Sequence, residues 1–511
     1  MKIFGPPGLR ADDPPLSSEP FWIWARNIRW VNGFPETIGM YAHLHTPSGE
    51  DMVIPIVGDA VSVHEDRSIL IFGSDDTVSI VDWEAGTVQS LTITEAGSEG
   101  RWWFDSSGED IIAGRGDMAG NVVSIDRTSG AYAVIPNSPM GAQAGGIIGG
   151  ILVFAGLVES FDTNNPKMLV RWSARNTDPV SPGGDAGFEN WTPSDTNASG
   201  EALLEGGSCI VGGGPTDFGF VVWSDTTTHL LAPRADSYIF DVDTVFDHGL
   251  LAVNTWVQMD GLVWWFDQSR DLCVMDGGRP RVLSNPLKKA SIGTINDADL
   301  ENCTMSAIRR YGEVILNYRG FGGALRQLVY NYKENAWYHW RQDRLVYADE
   351  NARRPVIALA SDGQLHVHEL RIETPAEWLN PIDDVGQEAP ALDFNRGPLE
   401  PLDFMLSTNN IIPDDPVRES MRAMSGVFNH SIGWVDNERY EDTFLVTMLG
   451  YGEHGYSSPT FTDQREFAVG EMFGGFRLGG KSLRLIYSSE GVRTNIRFGP
   501  ADVTAGKGGQ R

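Results

Sequence analysis

The sequence is poor in cysteine, in basic residues and in long apolar runs. Three cysteines, Cys209, Cys273 and Cys303, stand among 511 residues. They are too few and too scattered for a disulfide framework or a Cys-x-x-Cys metal clip, and the odd number leaves at least one thiol free. A reducing compartment is the expected setting. Lysine and arginine total 39 against 69 acidic residues, a formal net charge of −30. A field of that sign repels phosphate backbones, which disfavours sequence-specific nucleic-acid binding. The longest apolar stretch, Gly145 to Val158, is glycine-rich and has 158 − 145 + 1 = 14 residues, short of the ~18–20 that a spanning helix needs. It reads as a hairpin of buried strands. The opening Met1-Lys2-Ile3-Phe4-Gly5-Pro6-Pro7 lacks the apolar core of a signal peptide, and Asp12 and Asp13 follow closely. Neither secretion by that route nor stable membrane insertion is expected.

Helical periodicity is also nearly missing, and short strands take its place. Residues 1–40 read as an extended arm, because Pro6, Pro7, Pro14, Pro15 and Pro20 block regular structure until the alternating Phe21-Trp22-Ile23-Trp24. Such an arm is expected to pack on a neighbour or to fray. From 41 to 375, runs rich in Val, Ile, Phe and Trp alternate with Asp-Gly, Asn and Ser turns, as in Ser68–Phe72, Thr77–Trp83, Gly219–Trp223 and Gly312–Tyr318. The turn positions Asp82, Asp126, Ser173, Ser224, Asp267 and Asn331 lie 44, 47, 51, 43 and 64 residues apart by subtraction. Spacings of about 40–50 residues with four strands each mark propeller blades. The last interval contains an apparent insertion, Pro280 to Asp299, and Pro355–His368 offers a unit that closes the ring. The fold class is thus all-β, a β-propeller of six or seven blades over 41–375, regular or irregular. Proline and acid then accumulate over 376–416, which reads as a linker or crossing segment. Alternation resumes in 417–511, the expected second small β-domain with a flexible tail.

Residue patterns for catalysis are weak. Gly206-Gly207 and Gly212-Gly213-Gly214 have neither a Walker lysine nor a following helix, and read as turn glycines. His366 and His368 alternate on one strand face without a third metal ligand at recognisable spacing. Acid pairs such as Asp297, Asp299 and Glu301, Asp75-Asp76, Asp241 and Asp243, or Asp383-Asp384 are what 69 acidic residues produce by chance. A glycosidase needs two carboxylates ~5–9.5 Å apart in a cleft. Ser361-Asp362-Gly363 resembles one sialidase-type box, but such boxes do not repeat. Gly206-Gly207-Ser208-Cys209 lacks the glycine a nucleophile elbow requires. No catalytic residue, metal ligand, cofactor site or cofactor is assigned, and the protein reads as a non-enzyme. Basic residues pair locally at Arg309-Arg310, Arg353-Arg354 and Lys288-Lys289. Arg477, Lys481, Arg484, Arg493 and Arg497 gather in the tail, which a docking role toward an acidic partner also fits.

Several segments together resemble the tail nozzle, or packaged-DNA-stabilisation, proteins of short-tailed bacteriophages (podoviruses). They are Asn27–Gly39, Val170–Asp178 continuing to Asn190–Ser194, Leu300–Cys303 and Asn331–Trp337, within a span of about 27–345. The resemblance implies a structural virion subunit, assembled in the host bacterial cytoplasm as a homo-oligomer, a hexameric ring in the viral tail. That ring extends the DNA channel below portal and adaptor, retains packaged DNA and permits DNA ejection. Its implied partners are the adaptor, tail fibre or tail needle proteins, and genomic DNA passing without sequence-specific binding. Six copies carry 6 × −30 = −180 charges, and an acidic lumen keeps DNA from sticking. The competing expectation is a carbohydrate-binding or glycan-hydrolysing propeller, with Trp102-Trp103 or Trp264-Trp265 stacking sugars. If a channel gate exists, the long polar segments Asn176–Asn197 and Pro280–Asp299 are the places to expect it; its residues are otherwise unassigned.

Overall fold

A computed structural model describes residues 2–370 apart from short segments, the longest of them 158–165, 176–186 and 350–355, and the strands from 402 to 507. The chain is an all-β protein with a β-propeller fold. Among the described residues, seven four-stranded antiparallel sheets form the propeller. Blades 1 to 6 use consecutive strands within 62–92, 102–134, 144–203, 210–246, 256–283 and 304–340. Blade 7 combines Val346–Ala348, Val356–Leu359 and Leu365–Leu370 with an outer strand from far upstream, Met40–His43. That strand pairs antiparallel with Leu365–Leu370, placing His43 opposite His366 and Ala42 opposite Val367. The ring is therefore closed by non-covalent pairing of its two ends.

Continuous apolar runs arise because each blade is buried on both faces. In Gly219–Ser224 of blade 4, Phe220 and Val222 pack toward blade 3, while Val221 and Trp223 pack toward blade 5. In Ile151–Ala155 of blade 3, Val153 faces blade 4, while Leu152 and Phe154 face blade 2. The strand period of two thus serves two cores instead of a core and solvent. Ala144–Ile148 and Ile151–Ala155 form the hairpin expected for the long apolar stretch.

The spacing of the repeat needs a correction. Asp82, Asp126 and Asn331 end the third strands of their blades, and Ser173 follows one, but Ser224 and Asp267 close second strands. Blade 5 ends its third strand at Asp276, so its interval to Asn331 is 331 − 276 = 55 residues instead of 64. Pro280 belongs to the outer strand Arg279–Leu283, and the inserted connection starts only after it, with short 3-10 turns at Ile292–Thr294 and Asp297–Asn302.

The N-terminal arm, read as a segment that packs on a neighbour or frays, is built into sheets of its own chain. Trp22–Arg26 pairs with Leu402–Thr408, and the hairpin of Ile28–Val31 with Phe34–Thr37 pairs through Glu36 with Arg497 of Ile496–Lys507. Together with the strands of 421–507 it builds two seven-stranded sheets. Phe498 of one sheet meets Phe404, Phe444 and Tyr487 of the other at ring-centroid distances of 5.5, 5.9 and 5.0 Å. The second β-domain is therefore a sandwich of both chain ends. Leu402–Thr408 is a strand inside the stretch read as linker, because its alternating Phe404 and Leu406 fill the sandwich core; residues 371–401 and 412–416 of that stretch lie outside the described residues.

Candidate functional site

The first strand of every blade lines the propeller axis, where the structure leaves a cavity of about 290 Å³. That is the scale of a small-ligand pocket, ~300–1,000 Å³, and leaves no room for a DNA duplex inside one propeller. Several groups on the cavity wall are locally satisfied. His64 Nε2 lies 2.9 Å from Ser106 Oγ, and burial lowers the imidazole pKa to about 4. The Asp105 carboxylate accepts the amide protons of Ile147 at 2.6 Å and Ser106 at 2.7 Å, while burial raises its pKa. Ser62 Oγ donates to Trp102 O at 2.6 Å and accepts from Asn254 Nδ2 at 3.0 Å. The hydroxyl, imidazole and carboxylate tie strands of blades 1, 2 and 3 together around the axis. Sequence reasoning missed this trio, since Ser62 and His64 sit on the first strand of blade 1 and Asp105 on that of blade 2, and only the packing of neighbouring blades brings them together.

The acid candidates do not converge there. Asp297, Asp299 and Glu301 lie on the connection between blades 5 and 6, with Asp297 bound to Arg270 at 2.5 Å. Asp75 and Asp76 form a blade 1 turn, where Asp75 meets Arg115 at 3.0 Å. Asp241 and Asp243 are exposed on the outer strand of blade 4, and Asp383-Asp384 lies outside the described residues. Ser361-Asp362-Gly363 is a tight turn in which Asp362 accepts the Gln364 amide at 3.0 Å and Gly363 has φ +86. Ser208 is bound through Oγ and its amide to Asp225 at 2.5 and 2.8 Å. Gly206 and Gly207 are positive-φ turn residues, whereas Gly212–Gly214 run within the strand Ile210–Thr216. Gly214 leaves space that the Trp256 indole fills. Trp102, Trp103, Trp264 and Trp265 are 2%, 8%, 3% and 0% exposed, so none of the four presents a face to a sugar.

His366 and His368 do share a face, which abuts aromatic rings. His366 faces His43 with ring centroids 4.6 Å apart, and His368 packs against Tyr347 at 5.2 Å and Trp340 at 5.9 Å. Among the basic candidates, Lys288 pairs with Asp271 at 2.6 Å, Arg309 with Asp260 at 3.5 Å and Arg497 with Glu36 at 2.6 Å. Arg353, Arg354, Arg477, Lys481 and Arg493 lie outside the described residues. The two gate candidates emerge on opposite faces of the ring. The 284–303 connection joins an outer strand to the next inner one, while 173–199 joins third and fourth strands of blade 3. Residues 176–186 of the latter are outside the description.

A second constellation is the joint between propeller and sandwich. Arg29 Nε and Nη2 donate to Glu313 Oε1 and Oε2 at 2.8 and 2.6 Å, and both side chains are fully buried. Tyr338 OH donates to the same carboxylate. Burial, then the Glu313 charge, holds the phenol well above its ordinary pKa. The Arg29 guanidinium also lies 3.5 Å over the Tyr311 ring. Glu334 accepts the amides of Asn32 at 2.7 Å and Gly33 at 2.9 Å, and Asn27 Oδ1 accepts that of Arg341 at 3.1 Å. Bidentate geometry and full neutralisation make a buried ion pair tolerable here. Of the four phrases that carry the phage resemblance, Asn27–Gly39 and Asn331–Trp337 contribute to this joint or to blade 6, and Leu300–Cys303 lies on the connection that leads into blade 6.

No protein-family model and no curated protein matches this chain. Among solved structures, the β-propeller domain of Cps50 (Swd1) from Myceliophteria thermophila is similar at 11% identity, with a TM-score of 0.40, over 62% of this chain and 99% of that one.

Proposed function

We propose that this protein is a structural subunit of a short-tailed bacteriophage tail, a nozzle or tail-tube component that works through assembly and performs no bond chemistry. The observation that carries this reading is the joint: the resembling segments are concentrated where a buried, fully paired arginine–glutamate contact bolts the sandwich to blade 6. A subunit stiffened in this way suits a ring that must hold its shape against pressurised DNA. The narrow axial cavity supports a passage formed between subunits, with the propellers around it as walls. Net charge supports an acidic lumen through which DNA slides without capture. Adaptor above and fibre or needle proteins below are the partners such a ring requires, and the virion tail is its place.

Native mass spectrometry of the full chain at high protein concentration tests the proposal. A closed ring, six copies by the resemblance, is the expected result, and a strict monomer overturns it. A glycan array and a reducing-sugar assay on the same preparation bear on the competing carbohydrate reading, and clear turnover would replace the structural one.

A further inference from the structure

One cluster of side chains in blade 5 has no role in the axis, the joint or the tail reading. His248 sits on the connection from blade 4, Asp267 directly follows the second strand Leu262–Phe266, and Cys273 lies on the third strand Leu272–Asp276. Their nitrogen, oxygen and sulfur donors all lie within 4.8 Å of one another. His248 Nδ1 is 2.5 Å from Asp267 Oδ2, and the other carboxylate oxygen accepts the Asp271 amide at 2.8 Å. Asp267 and Cys273 are 1% and 0% exposed, whereas the His248 side chain is 29% exposed. The cluster is thus buried on two sides and open to solvent through the imidazole.

We infer that His248, Asp267 and Cys273 bind a single thiophilic divalent cation, with zinc as the type. Imidazole, carboxylate and thiolate are the three donor classes that zinc takes, at ~2.0–2.3 Å. Tetrahedral geometry at those lengths sets donors about 3.3–3.6 Å apart, a separation bracketed by the observed 2.5 and 4.8 Å. The ion takes the place of the proton between His248 Nδ1 and Asp267 Oδ2, which moves to Nε2 of the imidazole, and the Cys273 thiol releases its proton to solvent on binding. The exposed side supplies a water as fourth ligand. The Asp271 amide orients the carboxylate, as a hydrogen bond behind a ligand does in metal centres. Asp271 itself is paired with Lys288 at 2.6 Å and is not counted among the ligands. Stacking of Phe246 on His248, with centroids 4.4 Å apart, holds the imidazole near the site. The bound ion staples the loop between blades 4 and 5 to the turn of blade 5.

The test is a Co²⁺ titration of the full, reduced chain freed of chelator, followed by Zn²⁺ competition. The expected result is a near-ultraviolet thiolate-to-cobalt band that saturates at one equivalent and is abolished by zinc. Cys273→Ser removes the band, and Cys209→Ser retains it. His248→Gln, a change at the solvent-facing ligand, weakens Co²⁺ binding at least tenfold while circular dichroism stays unchanged. A folded wild-type chain without the band, or a band that survives in Cys273→Ser, overturns the site and leaves His248 and Asp267 as a hydrogen-bonded pair. If Cys273→Ser does not fold, unchanged Co²⁺ affinity in His248→Gln overturns it equally.

Discussion

Acid should open the ring at the seam where its two ends meet. His366 faces His43 across the closing strand, with Arg344, His368 and Tyr41 as its other neighbours. Burial first, then the positive charge of Arg344 and the two neighbouring histidines, lowers the His366 pKa from 6.5 to about 3. Burial also lowers His64 and His339 from 6.5 to about 4. A depressed folded value means that the unfolded chain binds more protons between about pH 6.5 and 4. Stability is therefore complete above 6.5 and falls as pH drops through that window. Each histidine contributes about 1.4 kcal/mol per pH unit, hence roughly 2 kcal/mol at pH 5 and about 6 kcal/mol for the three. Against a total of ~5–15 kcal/mol that is a large share. Asp105, whose carboxyl pKa is raised by burial, takes up its proton in the folded chain first as pH falls and so works in the opposite sense, which makes the variant comparison decisive. Denaturant unfolding at pH 7 and pH 5 should show the loss, and His366→Phe, which keeps a ring but cannot titrate, should recover about a third of it. Amide hydrogen exchange should report Met40–His43 opening first. An identical pH slope in His366→Phe, or a closing strand equally protected at both pH values, refutes the argument.

Two further outcomes follow from packing. Glu313→Ala leaves Arg29 buried without its carboxylate and should cost about 3–5 kcal/mol by denaturant unfolding; an Arg29→Met, Glu313→Leu double variant should recover much of that loss, which a double-mutant cycle measures. Gly114→Ala places a Cβ 2.3 Å from Trp103 Cζ2, inside a well-packed blade interface, and should destabilise by about 1–3 kcal/mol. Trp103→Ala should cost ~3–5 kcal/mol, and Gly114→Ala should be nearly neutral in that background.

Strand content and blade spacing were legible because two-sided burial writes itself as unbroken apolar runs between turn residues. Phe220 to Trp223 and Leu152 to Phe154 are such runs. Phase was harder to read, since Ser224 and Asp267 end a different strand from Asp82 and Asp126 and nothing local distinguishes the two turns. Pairing across hundreds of residues left no local trace at all. Met40–His43 gives no sign that it belongs with Leu365–Leu370, nor Arg29 that its partner is Glu313, 284 positions away. Proline in the first twenty residues reads as an arm, but nothing local tells that Trp22–Arg26 and Phe34–Thr37 join strands from the far end of the chain. The same limit hid the His248, Asp267 and Cys273 cluster, whose members are unremarkable until the turn of blade 5 folds back on the preceding loop.

Electron cryomicroscopy of the purified full chain at high concentration would show how the subunits assemble. A closed, six-membered ring is expected, its wide central passage running between subunits that each carry a seven-bladed disc rigidly joined to a sandwich. Dispersed single chains, or rings in which the only axial opening is the narrow core of a propeller, would contradict it.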